Sequence, residues 1–444
     1  MHTSGTLPSP AAPRRSITQH QLNSANVHTS CTACHEAITQ RWHYEGEVPP
    51  RGKATHMKTE TPGPGRNVAI IRKQRGMSQV QLARAAGVSV SLLSKIEIGD
   101  WALSPGVAAA LARGMGVTLD EVLGQAVPQR GEDEQLKELR AVMRRFDLPG
   151  DPPSDPQVIK RELATIFRLR GDANLRGLLT ALPQAITCTT NYAHAAGTPS
   201  AWSMVADVYS AVYYLAARHR WMELAELAVV RQQLAAERAD PLTAVVAVRD
   251  EAGAFLNSGD FAGGLAVINR AIVRLEGAED GPNKAWGLGQ LHMRGLTLAG
   301  RLRESAEVAR HAREAVRWSE NFAEDVEMHG MHFGPENAAN HLVATFVDLE
   351  QHRKALDVMR DISRQPLKLP PTRRGHLHLN VARAKLALKD REGALESLTD
   401  AWEVTPQMAR VHPTSQEVLR VLITLHRRSN PKLVKLASQA GVTV

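Results

Sequence analysis

The sequence predicts an all-α protein: a compact set of five short helices near the N-terminus, then a long stack of helical hairpins. Three observations predict it. Apolar residues recur at intervals of three and four, as in LVATFVDL and VLRVLITL, and from residue 157 onward they never alternate usefully with period two. Aromatic residues make up 4% of the chain, few for a β-rich protein. Between residues 66 and 124, glycines at 76, 87, 99 and 116 break the helical pattern into short pieces.

At 444 residues the chain is long enough for more than one domain, and 43% hydrophobic residues can bury real cores. Residues 1–64, rich in Pro, Gly, Ser, Thr and His, read as a disordered extension. Residues 65–125 read as the compact domain. Residues 126–156 hold an amphipathic helix from Glu132 to Phe146 and the Pro-rich linker PGDPPSDP. Residues 157–444 read as helical repeats. The net charge of +8 suits a polyanionic partner without naming one. No apolar run approaches the roughly 18 residues of a membrane span. The N-terminal stretch lacks the apolar core of a secretory signal, so no membrane association and a cytoplasmic location are expected. Three cysteines fit a reducing compartment.

The compact domain can be built element by element. Arg66–Arg75 forms a first helix with Val68, Ala69 and Ile71 inward. Ser78 is a good N-cap for a second helix, Gln79–Ala86. Gly87 permits a tight turn. Ser89 caps a third helix, Val90–Glu97. Ser104-Pro105 opens the fourth. Leu82, Ala83, Val88, Leu92, Leu93, Ile96, Val107, Leu111 and Met115 supply the core, closed by Val117, Leu119 and Val122.

This run, RNVAIIRKQRGMSQVQLARAAGVSVSLLSKIEIGDWALSPGVAAALARGMGVTLDEVLG, resembles the phage-repressor (Cro/CI, or XRE) type of helix-turn-helix domain, a lambda-repressor-like fold. The resemblance implies a regulator of transcription whose third helix enters the major groove of double-stranded DNA. Ser89, Val90, Ser91, Ser94 and Lys95 then face base edges. Gln79 matches a position the family uses for phosphate contact, and Arg72 with Glu97 matches its buried ion pair. Two plainer readings stay open: Ser89 as a cap alone, and Lys95 as a phosphate contact alone. One departure stands out. Where the family often carries basic residues, this chain reads Ile98-Gly99-Asp100-Trp101, and Asp100 repels phosphate. A homodimer on two half-sites would restore affinity.

Five turn blocks recur in the second part: HRWMELA from His219, GDFAGGL from Gly259, GRLRESA from Gly300, EQHRKAL from Glu350 and KDREGAL from Lys389. Each follows an apolar helix and opens another with small residues near its start. The pattern resembles the tetratricopeptide repeat, with longer units and most consensus Trp and Pro positions missing. Such hairpins must stack into an α-solenoid. A helix-turn-helix domain fused to these repeats resembles the bacterial peptide-sensing regulators. That resemblance implies a peptide or protein effector in the concave groove, and dimerisation through the repeats. With the turn blocks as register, the groove stripe holds Tyr209, Tyr213, Arg249, Gln290, Arg294, Asn340 and Arg383, with Asn337 and His376 one turn further back. Arg294 and Arg383 suit a carboxylate as forks. An ordinary solvated face is the competing reading.

Other signals are set aside. Cys31-Thr32-Ala33-Cys34-His35 spells a haem-attachment pattern, and Cys31, Cys34, His35 and His43 are zinc-ligand types, but their spacing and flanks fit neither. No metal and no cofactor are expected. Cys188 reads as a core residue. Met328–Gly334 reads as a flexible loop that lengthens one repeat. No catalytic motif is present, so no enzyme activity is expected. The alternative function is a protein-interaction scaffold with weak or lost DNA binding.

Overall fold

The computed structural model describes residues 63–124, 132–155, 157–277, 282–425 and 430–441. Cys31, Cys34, His35, His43 and the rest of the extension before residue 63 lie outside the described residues. Among the described residues the protein is helical but for one small β-hairpin.

Five helices form the N-terminal bundle: α1 (Pro64–Gln74), α2 (Gln79–Ala86), α3 (Val90–Ile98), α4 (Pro105–Met115) and α5 (Leu119–Leu123). Side chains fix their starts. Ser78 and Gln81 form a reciprocal capping box on α2, and Thr118 with Glu121 does the same on α5. Ser89 and Ser104 cap α3 and α4. α1 starts two residues earlier than the sequence pattern suggests, because Pro64 already has the backbone angle of a first turn. Val68, Leu82, Leu93, Ile96, Leu111 and Val122 are buried, with Ile71, Val88, Leu92, Val107 and Val117 packed around them. Gly65 lets α1 lie on the end of α3; a Cβ there would stand 2.3 Å from the Ile96 carbonyl oxygen.

Next come α6 (Glu132–Met143) and six helix pairs joined by short turns. The pairs are α7 (Gln157–Gly171) with α8 (Leu175–Ala196), α9 (Pro199–His219) with α10 (Met222–Ala236), and α11 (Pro241–Ser258) with α12 (Phe261–Glu276). The remaining three are α13 (Pro282–Leu302) with α14 (Ser305–Ser319), α15 (Pro335–Asp348) with α16 (His352–Ile362), and α17 (Pro371–Ala387) with α18 (Arg391–Val404). α19 (Pro406–Val411), α20 (Pro413–Leu425) and α21 (Pro431–Ala440) follow. α9, α11, α13, α15 and α17 pack successively on one another as an inner layer. Each pair turns through a left-handed residue: Ala173, Arg220, Gly259, Arg303, Glu350 and Lys389 have φ between 53° and 85°. Only one is glycine, so the turn is set by packing of the two helices rather than by residue type. Gly300 is not a turn residue; it sits inside α13, where a Cβ would be 2.8 Å from Thr345 Cγ2.

The supposed flexible loop at Met328–Gly334 is instead ordered. β1 (Val326–Met328) and β2 (Met331–Phe333) pair antiparallel, with Met328 opposite Met331. His329 and Gly330 have φ of 52° and 64°, the two left-handed angles of the tight turn that matches strand twist. Met331 and Phe333, two residues apart and so on one face, are buried beside Trp286. His329 reaches α9 and bonds Asp207, Nδ1 to Oδ1 at 2.8 Å.

The superhelix closes on itself. α17 touches α7, and α19 touches α8 and α9. Gln407 accepts from the Arg176 amide at 2.8 Å and donates to Asn174 Oδ1 at 3.1 Å. The bundle sits inside this curve. Leu119 and Val122 share one apolar cluster with Phe261, Leu265 and Leu298. Asp120 pairs with Arg220, and the Leu103 amide donates to Glu417 Oε1 at 3.1 Å.

Candidate functional site

The outer face of α3 begins one candidate site. Ser89, Val90, Ser91 and Lys95 are exposed, and Ser94 is half-buried. Ser89 Oγ accepts the Leu92 amide at 3.1 Å, so this hydroxyl caps the helix while its hydrogen stays available. Lys95 Nζ lies 6.0 Å from the centre of the Trp101 ring. Behind this face, Arg72 and Glu97 form a two-pronged pair at 2.6 and 2.8 Å, and Arg72 also donates to the Met77 carbonyl at 2.8 Å. Burial pushes the Glu97 carboxyl up, but hydrogen bonds from Arg72 and Gln79 outweigh it and hold the group below its usual range. Gln79 therefore has a structural partner: its amide donates to Glu97 Oε2 at 2.8 Å. It ties α2 to α3, and phosphate contact would need this bond to be exchanged.

The second site is a cavity of about 290 Å³ between the bundle and the inner helices. Leu103, Pro105, Leu119 and Leu123 contribute from the bundle side. Of the nine groove residues expected from sequence, Tyr213, Arg249, Arg294, Asn340, His376 and Arg383 line it. Three do not. Tyr209 is fully buried against Phe146. Gln290 and Asn337 both donate to the His332 carbonyl, at 2.9 and 2.7 Å, and so hold β2 in place.

One of these misses, Gln290, comes from the register. Counted from the left-handed turn residue instead of the sequence block, one stripe is regular. Two positions before it stand Arg218, Asn257 and Arg301. Six before stand Tyr214, Thr297, Ala344 and Arg383. Nine before stand Asp250, Arg294, His341 and Asn380. All of these line the cavity. The fourth turn, at Arg303 rather than Gly300, displaced the sequence register of that pair by most of a helical turn.

Eight arginines line the cavity in all. Arg301 and Arg383 share Asp348, at 2.7 and 3.0 Å, and Arg249 meets Asp250 at 3.2 Å. Arg170 donates to Ser210 Oγ at 3.1 Å, and Arg218 lies over the Tyr214 ring at 4.8 Å. Arg294 and Arg373 have no carboxylate within ion-pair distance among the described residues. Burial, then the charges of Arg170, Arg218 and Arg294, push Arg373 down to about 10. The histidines feel the same field. Burial and nearby guanidiniums lower His332 to about 4 and His412 to about 3, so both are neutral at neutral pH. Among the described residues, no group of three or more His, Cys, Asp and Glu is placed to hold a metal ion, and no helix is long and apolar enough to cross a membrane.

Comparison with known proteins gives one family match and one similar solved structure. A solved structure, that of the PrgX/iCF10 complex, is similar over 77% of this chain and 96% of that chain, at 11% identity and a TM-score of 0.28. No curated protein matches the chain. The Helix-turn-helix family model matches residues 68–122. With side-chain caps on four of its five helices and an exposed third helix, that segment is a helix-turn-helix domain of the XRE type, followed by a helical, solenoid-like region.

Proposed function

We propose that the protein is a sequence-specific DNA-binding regulator of transcription, acting as a homodimer and controlled by an effector in the cavity. The observation that carries this reading is the exposed α3 face on a helix-turn-helix domain. Ser89, Val90, Ser91, Ser94 and Lys95 occupy the start and outer side of α3, where a helix in the major groove meets base edges. Arg72, Glu97 and Gln79 hold that helix rigid. The cavity wall is shared between the DNA-binding domain and the repeats, so a ligand there touches both. It would shift DNA binding by as much as its affinity differs between two arrangements of those parts. A peptide or protein effector is the expectation from sequence resemblance.

A second reading, an interaction scaffold with weak DNA binding, draws on Asp100 beside α3 and on the committed Gln79 amide. The salt dependence of DNA binding separates the two. Several phosphate contacts make log K fall against log salt with a slope of about −0.9 per contact. A steep slope supports the regulator; absence of binding at low salt supports the scaffold.

A further inference from the structure

The cavity holds more positive charge than its own carboxylates neutralise. Arg218, Arg294 and Arg373 line it with no carboxylate in ion-pair contact among the described residues. Arg249 Nε and Arg294 Nε are buried without a hydrogen-bond partner, and Arg249 is 4% exposed. Burying unpaired charge is expensive, and apolar side chains of similar size would pack a core better. A core needs none of these guanidiniums, whereas an anion would neutralise all of them. Their forks match paired phosphate oxygens. At about 290 Å³ the space is small-molecule sized, at the lower end of ligand pockets. One terminal carboxylate of a peptide would leave most of the excess charge unanswered.

We infer that the cavity binds a small polyanion carrying two or more phosphate groups, with Arg218, Arg294 and Arg373 as its phosphate ligands. This rests on the reading of the cavity as the effector site and is independent of what α3 reads. Leu103, Pro105 and Leu119 stand in the same wall, so the bound anion lies directly against the DNA-binding domain.

The test is titration calorimetry and thermal melting of the full chain at constant ionic strength. The probes are inorganic pyrophosphate, ATP, citrate and an uncharged hexapeptide with blocked ends. Pyrophosphate or ATP is expected to bind saturably and raise the melting temperature. Arg294→Gln/Arg373→Gln should weaken that binding about tenfold or more, as loss of charge-assisted hydrogen bonds would. Arg360→Gln/Arg364→Gln, which removes exposed guanidiniums on and just after α16, should leave it unchanged. The unliganded cavity variant should melt no lower than wild type, because like charges have been removed, and this separates lost binding from lost fold. A response to pyrophosphate assigns the phosphates alone as the recognised group; a response to ATP only assigns a nucleotide. Absence of binding by both, equal binding by the cavity variant, or citrate binding as tightly overturns the inference. Peptide binding alone would also overturn it while keeping the cavity as an effector site.

Discussion

Arg72 and Glu97 join three helices of the helix-turn-helix domain through one buried pair, with Gln79 as a third partner. The pair replaces the water both groups lose, so removing one partner strands the other. Arg72→Ala should cost roughly 3–5 kcal/mol. Urea unfolding monitored at Trp101, beside α3, measures it. A loss below about 1 kcal/mol, the value of an exposed pair, would contradict the burial. At this scale the sequence was informative where the chemistry is local. The serine caps and the Pro105 helix start follow from residue type and spacing, and the pairing of Arg72 with Glu97 from the family resemblance. Gln79 was less legible, because whether its amide meets phosphate or Glu97 depends on a side-chain rotamer that no spacing encodes.

The helical hairpins were legible from apolar spacing, and all five expected turns are present. Their register was legible to within one residue at four of the five and displaced by three at Gly300, because the non-glycine turn residue Arg303 leaves no mark in the sequence. That displacement put Gln290 among the expected groove residues, whereas Asn337, counted from the true turn residue, is taken by the His332 carbonyl and Tyr209 packs on Phe146. The β-hairpin was hidden for another reason: three-residue strands are too short for an alternation to be seen. Its tip is tethered by His329. Burial lowers the affinity of this imidazole for a proton, but the hydrogen bond and charge of Asp207 outweigh that and raise its pKa above 6.5. A raised imidazole pKa gives stability that is complete below the unfolded value and disappears as pH rises through the folded one. Amide exchange of residues 326–333, corrected for intrinsic rates, should therefore show protection falling as pH rises past 6.5. Asp207→Asn should remove that dependence. Protection independent of pH in the wild type would mean that the charged pair does not hold the tip.

At the scale of the whole molecule, the helix-turn-helix domain and the repeats share one apolar cluster and a cationic cavity. Glu417 reports on their contact. It is buried where α20 meets Leu103, and burial raises its carboxyl to about 7, against opposing contributions from the Leu103 amide and Arg420. A carboxyl raised from 4.5 to about 7 holds its proton longer in the folded state. Its contribution is most favourable below pH 4.5 and is lost progressively as pH rises toward 7, by up to about 3 kcal/mol. Glu417→Gln keeps an acceptor for Leu103 without the charge. It should raise the urea midpoint at pH 8 and leave it little changed at pH 5; equal shifts at both would contradict a titrating contact. The central claim is that α3 reads sequence. The measurement that tests it most directly is in-vitro selection of bound DNA by the full chain, beside a Ser91→Ala/Lys95→Ala variant. The account predicts a two-fold symmetric motif with half-sites about one helical turn apart, enriched by the wild type and lost or relaxed in the variant. No enriched motif with the wild type, with and without pyrophosphate or ATP, or an identical motif from the variant, would contradict it.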